Sequence, residues 1–481
     1  MMEGGLAGLE TRLRQDLELL ELPAKNWVPP RVVDGRPVLD VAVIGGGMCG
    51  LTASAAMILL GIRNIAVFDR APAGREGPWV TFARMRTLRS PKTLTGPALG
   101  LPALTFRAFY EAQFGHAAWV ALGKIPRGMW MDYLVWYRRV LDLPVRNGVR
   151  VTAVRAYAND VLELDVAGPD GVQRVLARRL VLATGRDGLG GPSVPAMAQG
   201  IDRRFWAHSA EDIDFAALRG RVVGVVGAGA SAMDNAATAL EAGAAGVDMF
   251  IRRPALPRIN KLTGIGSPGL VNGFQALPDA AKWRFLDYAL REQTPPPRDS
   301  TLRVSTQGGR FHVGSPVLRL EQDGEALAVT TPKGVYRVDF MIFATGFRLD
   351  AGQRPEFSAF LPHVRLWGDR FTPPPGEENA ELAHLPDLGP AFEFQEKQPG
   401  ACPMLARIHC FNDHATLSQG KVAGDIPAVS DGARRLARGL AGLLFAEDEA
   451  AHFAALQAFD TPELLGDEWR DADALPALSA A

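Results

Sequence analysis

Two glycine-rich stretches hold the residues best suited to chemistry: GGGMCG, Gly45 to Gly50, and GAGASA, Gly227 to Ala232. In the pattern G-x-G-x-x-G the first glycine permits a tight turn from strand to helix, and the second lets a pyrophosphate reach the backbone. The third, often alanine, lets the helix pack close on the strand. Gly45, Gly47 and Gly50 fill these positions in the first turn, and Gly227, Gly229 and Ala232 in the second. Phosphates then rest on unpaired N–H groups at the positive end of the helix. About 20 residues beyond each turn stands the residue that reads the ribose. In the first unit it is Asp69 of VFDR, followed by Arg70. An acid there accepts ribose hydroxyls and repels a 2′-phosphate, which suits the adenosine of FAD. In the second unit it is the pair Arg252 and Arg253 of MFIRR, cations that attract a 2′-phosphate and so favour NADPH. Two adjacent arginines would also serve as a solvated strand end. One site for a bound flavin and another for the nicotinamide that reduces it describe an electron-transfer flavoenzyme.

Both turns need a strand before them and a helix after. LDVAVI (39–44) is an apolar run suited to a buried parallel strand, LTASAAMILLG continues the turn as a helix, and NIAVFD is a second strand. RVVGVV, MDNAATAL and GVDMFIRR repeat that order after Arg219. Between the units lie a mostly helical stretch, 95–145, and an alternating stretch, 149–182, that reads as a strand meander. Leu6, Leu9, Leu13, Leu17 and Leu20 make an amphipathic first helix, and GARRLARGLAGLLF a last long one. Residues 254–303 are richer in Pro and Gly and carry one clear helix, DAAKWRFLDYALREQ. They read as an insertion that walls a substrate pocket, with its aromatics Phe274, Trp283, Phe285 and Tyr288 assigned to the core.

The fold class expected is therefore α/β, with two Rossmann-like dinucleotide-binding domains, for FAD and for NADPH, the second inserted in the first. The boundaries expected are 1–217 and 336–481 for the two parts of the FAD domain and 218–335 for the NADPH domain, which carries the helical insertion 254–303.

With 481 residues, 47% apolar and 22% charged, the chain reads as an ordinary globular protein of two or three domains. Its 52 basic and 53 acidic residues cancel to a net charge of −1, so no global field draws it to nucleic acid or an anionic membrane. A small-molecule partner is expected. Cys49, Cys402 and Cys410 are too few for a disulfide framework and fit a reducing compartment. The charged N-terminus lacks the apolar core of a signal peptide, and no apolar run approaches about 20 residues. The chain is expected to be soluble and cytoplasmic, with no metal site. Nothing in the sequence specifies its oligomeric state or substrate.

With both turns placed, the sequence from about Asp40 to Phe445 resembles the single-chain flavin-dependent monooxygenases: the flavin-containing, Baeyer-Villiger and N-hydroxylating groups. LVLATG, ending at Gly185, and MIFATGF, containing Gly346, look like the two ATG segments where the chain passes between domains. EGPW, ending at Trp79, looks like the G-G-x-W segment beside the flavin. TLRSPKT (87–93) resembles the T-L-R-N-P-R-S segment of the N-hydroxylating branch. AGDIPAVSDGARRLA resembles that branch's H-G-x-x-D-x-L-L-S-x-x-A-x-R, which matches Gly424, Asp425 and Ser430 and implies a helix N-terminus at the flavin pyrimidine. The Baeyer-Villiger fingerprint F-x-G-x-x-x-H-x-x-x-W is broken. His208 is present, but Asp202, Arg204 and Asp212 occupy the Phe, Gly and Trp positions, which argues against lactone- or ester-forming chemistry.

The resemblance implies that NADPH reduces FAD, O₂ adds at flavin C4a, and the peroxide delivers one oxygen to a small organic substrate, with a leaning to nitrogen or another heteroatom. A cation near C4a would stabilise the peroxyflavin anion. Arg84, Arg86 and Arg89 lie in the matching segment, and Arg89 of TLRSPK is the candidate catalytic residue. Three other readings compete. A disulfide reductase needs a close cysteine pair, which this chain lacks. An NADPH oxidase or flavin reductase would release peroxide without oxygenating a substrate, and a nucleotide-sensing flavoprotein would bind both cofactors without turnover.

Overall fold

The computed structural model describes residues 4–158, 160–471 and 473. The apolar run 39–44 lies inside strand Arg36–Ile44, whose Val41, Ala42 and Val43 have no solvent exposure. It pairs in parallel with Ile65–Phe68 on one side and Gly171–Leu182 on the other. The twelve-residue strand Gly171–Leu182 does two jobs. Its first half continues the antiparallel meander with Val161–Gly168 and Arg150–Tyr157, and its end pairs in parallel with Ile408–Cys410. Val145–Arg146 and Arg31–Val33 complete an eight-stranded sheet. The helix Met48–Leu59 between the first two strands is buried from Met48 to Met57, as a helix apolar on every side must be. It is covered by helix Val429–Glu447.

A second sheet is wholly parallel, in the order Arg310–His312, Gly246–Phe250, Val222–Val226, Phe340–Phe343, Trp206–His208. Helix Ala230–Glu241 packs on one face. The other face packs against an antiparallel sheet of Arg319–Asp323, Ala326–Thr331 and Gly334–Val338. The parallel sheet takes in Trp206–His208 and Phe340–Phe343, which lie on either side of the expected 218–335 span. The central strand Val222–Val226 has a second hydrogen-bonding edge, which Phe340–Phe343 satisfies, and Trp206–His208 pairs with Phe340–Phe343 in turn. The chain crosses between the two units twice. The crossings pair with each other as a two-stranded antiparallel ladder, Gly190–Pro192 with Phe347–Leu349.

The inserted stretch forms helices Pro268–Gly273, Asp279–Glu292 and Arg298–Ser305. Trp283 is buried, its indole N–H donates to the Glu377 carbonyl at 2.8 Å, and it joins Phe274, Trp367, Leu382 and Leu417 in a separate apolar cluster. Phe285 and Tyr288, expected in the core, are 38% and 52% exposed, because the helix has only one covered face. The first helix, Gly5–Leu19, buries Leu9 and Leu13 and stops short of Leu20, which is exposed. No helix among the described residues is long and apolar enough to cross a membrane.

Candidate functional site

The same local geometry occurs at both glycine turns. Gly45 has φ +105°, its N–H donates to the Phe68 carbonyl at 2.9 Å, and a Cβ there would stand 2.4 Å from the Ala183 carbonyl oxygen. Gly227 has φ +132°, its N–H donates to the Phe250 carbonyl at 3.2 Å, and its Cβ would stand 2.7 Å from the Ala344 carbonyl oxygen. Ala183 and Ala344 are the alanines of the two ATG segments, so each turn lies under its own ATG backbone. Gly185 and Gly346, which end those segments, have φ +74° and +79°. A Cβ on Gly50 would overlap the Gly45 carbonyl oxygen, while Ala232 sits 3.4 Å from the corresponding point on Gly227.

Gly47 and Gly229 are the N-cap residues of Met48–Leu59 and Ala230–Glu241, and neither helix has a side-chain cap. Their first-turn N–H groups therefore face open approaches. A Cβ on Gly47 would come no closer than 3.8 Å to Gly77, and one on Gly229 would meet nothing within 4 Å. Such uncapped helix N-termini, stripped of side chains, fit a pyrophosphate. A cavity of about 390 Å³ opens at the first turn, lined by Gly46, Gly47, Gly74, Glu76 and Arg138 among others. Glu76 is fixed there by hydrogen bonds from Arg138 (3.0 Å) and Asn147 (2.6 Å).

Asp69 is buried, and each carboxylate oxygen accepts one backbone N–H at 2.7 Å, from Gly46 and from Ala71. Each keeps a lone pair for another donor. Arg70 is turned toward Asp187 at 3.5 Å. The Trp79 ring stands edge-on to Trp130 at 6.1 Å, and its buried indole N–H has no partner among the described residues. On the second sheet Arg252 follows the end of strand Gly246–Phe250 and is exposed, while the Arg253 carbonyl accepts from Gly314 at 2.6 Å. The acid within that strand, Asp248, is saturated by Arg310 (2.6 Å twice) and His312 (2.7 Å). Across from Arg252 lies Glu381. Burial raises its pKa, nearby Asp413 adds to that, and Arg252 opposes it.

Charged groups from both units meet around Arg89. Arg89 donates to the Pro295 carbonyl at 2.8 Å. Its side chain is open to solvent, yet desolvation and the neighbouring Arg186 lower its pKa while Asp234 and Asp425 oppose the shift. Asp425 precedes the turn Ile426–Ala428 that leads into Val429–Glu447, makes no capping hydrogen bond there, and lies 3.4 Å from Lys421 and 3.7 Å from Arg186. Buried Ser430 donates to the Gly96 carbonyl (2.6 Å) and accepts from Leu99 N–H (3.0 Å), tying that helix to the loop beyond TLRSPKT.

Sequence reasoning treated Arg84, Arg86 and Arg89 as alternatives for one role, but all three reach across to the second unit. Arg84 donates to the Glu211 carbonyl (3.1 Å) and Arg86 to Glu241 (2.8 Å). Glu241, Asp234, Ser300 and Arg303 went unread, because their partnerships span 62 to 66 positions with no motif to announce them. His208 is fully buried and burial lowers its pKa, leaving the ring neutral with Nδ1 accepting from Ala210 N–H at 3.1 Å. All three cysteines are free and buried, and burial pushes the Cys49 thiol up to about 12, against any thiolate chemistry.

Comparison with known proteins follows the same lines. A model of the L-lysine 6-monooxygenase/L-ornithine 5-monooxygenase family matches residues 114–295. The FAD-dependent urate hydroxylase of Xanthomonas campestris pv. campestris is 41% identical over 469 residues, which cover 96% of this chain and 98% of that protein. Among solved structures, the ornithine hydroxylase of Pseudomonas aeruginosa aligns with a TM-score of 0.67 at 16% identity, over 85% of this chain and all of that one. The Kutzneria ornithine N-hydroxylase, whose structure holds reduced FAD, NADP⁺ and L-ornithine, aligns with a TM-score of 0.65 at 18% identity, again over 85% and 100%. At such identities the two structures speak for the fold alone.

Proposed function

Because this chain belongs to the family of FAD- and NADPH-dependent flavoprotein monooxygenases, we propose that it inserts one atom of O₂ into urate or a closely related purine. One observation carries the reading: the 41% identity to a urate hydroxylase runs over 98% of that protein. The amine hydroxylases share 16–18%. Hydroxylation of a free amine, the leaning implied by sequence resemblance, is the second reading, favoured by the family model over residues 114–295.

Bound FAD supplies electron transfer from NADPH to O₂ and delivery of one oxygen atom, the other leaving as water. The chain supplies the rest. In this reading Gly45, Gly47 and Gly50 make room for the FAD pyrophosphate at the N-terminus of Met48–Leu59. Asp69 uses its remaining lone pairs on the adenosine ribose, with Arg70 beside it. The free indole N–H of Trp79 faces the flavin side, Gly185 and Gly346 let backbone pass close to the cofactors, and Asp425 stands at the helix end beside the ring. Gly227, Gly229 and Ala232 seat the NADPH pyrophosphate, and Arg252 and Arg253 take its 2′-phosphate. Arg89 is the cation proposed to act at the reacting end of the flavin. The expected domain boundaries enter the same reading, with short strands from both flanks completing the NADPH unit.

The test is a comparison of urate, L-ornithine and L-lysine with the FAD-loaded protein, following NADPH oxidation, O₂ uptake and substrate loss together. Urate is expected to stimulate NADPH oxidation at least tenfold, with one NADPH and one O₂ consumed per urate. Stimulation by ornithine or lysine with a product 16 Da heavier, and none by urate, would overturn the reading in favour of the amine.

A further inference from the structure

The loop from Trp79 to Arg89 is fastened on both sides. On the side of the eight-stranded sheet it is bonded to the start of helix Arg127–Val140. The Trp79 carbonyl accepts from the Arg127 side chain (2.5 Å), the Arg86 carbonyl from Arg127 N–H (3.1 Å), and Leu88 N–H donates to the Ile125 carbonyl (2.8 Å). On the other side its arginines reach three separate points of the second unit. Arg84 bonds the Glu211 carbonyl and lies over the Phe215 ring at 5.4 Å, Arg86 bonds Glu241, and Arg89 bonds the Pro295 carbonyl. Phe82, between them, packs on Phe347 at the second crossing, with ring centroids 6.5 Å apart.

Glu241 is the most informative of these contacts. It is the last residue of Ala230–Glu241, the helix whose first turn forms the second dinucleotide cradle. An acid at a helix C-terminus opposes the macrodipole, so its place there needs compensation. Compensation comes from two units at once. Arg303, nearly buried, grips both carboxylate oxygens (2.8 and 2.9 Å) from within the second unit, and Arg86 bonds Oε1 at 2.8 Å from the first. The two arginines hold the Glu241 pKa below its usual value against burial. A twelve-residue helix is a rod of about 18 Å, so fixing its C-terminal end also aims its N-terminal end.

We propose that the loop Trp79–Arg89 is a strap that sets the two dinucleotide sites at the separation hydride transfer needs, with Arg86 and Glu241 as positioning residues. Neither touches a cofactor in this scheme. Their effect falls on the step in which NADPH loses a hydride and bound FAD gains it, where a misplacement of about 1 Å costs on the order of 100-fold in rate. The inference rests on NADPH reducing FAD and is indifferent to which substrate is oxygenated, so a failure of urate as substrate leaves it standing.

Rapid anaerobic mixing of FAD-loaded protein with NADPH tests it, with and without urate present. In Arg86→Gln and Glu241→Gln the limiting rate of flavin reduction is expected to fall at least tenfold, while the NADPH concentration at half-saturation changes less than about threefold. Reoxidation by O₂ after reduction with dithionite, which bypasses NADPH, is expected to keep the parent rate. Arg86→Lys, which keeps the charge, is expected to recover most of the loss. Should Glu241→Gln fail to fold for want of its Arg303 pair, Arg86→Gln leaves that pair intact and decides alone. A reduction rate in Arg86→Gln within twofold of the parent, or an equal slowing of dithionite-bypassed reoxidation, would overturn the proposal.

Discussion

A single methyl group at Gly45, Gly227 or Gly229 separates three effects that a generic loss of function would merge. At Gly45 and Gly227 the left-handed φ and the carbonyl of the overlying ATG segment both exclude a Cβ, and backbone strain alone costs about 1–3 kcal/mol. Gly45→Ala is expected to strip FAD from the purified protein, read as flavin absorbance per protein. Gly227→Ala is expected to keep FAD and lose response to NADPH. Gly229 has φ −80° and open space where its Cβ would go, so Gly229→Ala is expected to leave the fold alone and to meet only a dinucleotide bound as proposed. Its melting temperature is expected within about 1 °C of the parent, with the KM for NADPH raised about tenfold. If Gly229→Ala keeps the parent KM, phosphate does not approach there. Arg252 gives the matching test of the other end of the dinucleotide. A lost charge-assisted hydrogen bond is worth about 1.5–3 kcal/mol, so Arg252→Ser is expected to raise the KM for NADPH by tenfold or more while leaving NADH unchanged. An equal effect on both would place Arg252 outside the 2′-phosphate site.

Among elements, strand Arg36–Ile44 carries a charge the fold tolerates poorly. Asp40 is 1% exposed, with Arg178 at 3.9 Å already committed to Glu447 and Asp448 at the end of helix Val429–Glu447. Burial raises the Asp40 pKa to about 7 despite Arg178. Because the folded value lies above the unfolded one, the protonated acid is the form the fold prefers. Its contribution is fully present below about pH 4 and is lost as pH rises toward 7. Asp40→Asn is therefore expected to raise thermal stability at pH 8, by roughly 1–4 kcal/mol, with the gain vanishing near pH 4. A gain independent of pH would show that packing, not titration, is responsible. These elements were legible because each is a long periodic stretch or a short apolar run set against a glycine turn: the turn-flanking strands, the meander ending at Leu182 and the helix Asp279–Glu292 all stand where those patterns put them. Trp206–His208, Arg310–His312 and Ile408–Cys410 are three residues each, too short to show a period, and each exists because a neighbouring strand offers an edge. Phe285 and Tyr288 failed for a related reason: their residue type says apolar, but only the packing of the inserted helix says which face is covered. The glycines of the cradles were readable as local motif, whereas the Arg86–Glu241 contact joins positions 155 apart and could be seen only in the fold.

At the scale of the whole molecule, the repeat of one cradle on two sheets raises the question of whether the units behave as one body. Their cores are separate clusters: one built on Val41, Val43, Leu180 and Leu436, the other on Val223, Val225, Val247 and Ile342. What joins them is the short ladder Gly190–Pro192 with Phe347–Leu349, the arginine strap, and the inserted helix Asp279–Glu292, whose Trp283 packs on Trp367, Leu382 and Leu417 while its Asp279 pairs with Arg370. Exposed ion pairs such as Arg86–Glu241 contribute about 0–1 kcal/mol, far less than a core, so the strap can aim the units without fusing their stabilities. Calorimetry is therefore expected to resolve two unfolding transitions. A ligand at about 100 times its Kd stabilises the unit that holds it by about 2.7 kcal/mol. FAD is expected to raise the transition of the larger unit and NADP⁺ that of the smaller, each leaving the other nearly in place. Arg86→Gln is expected to shift neither by more than about 2 °C, which separates an effect on aim from an effect on stability. A single transition moved equally by both ligands would mean that the ladder, the strap and the packing of the inserted helix weld the units into one cooperative body, and the slow reduction expected of the strap variants would then need a different cause.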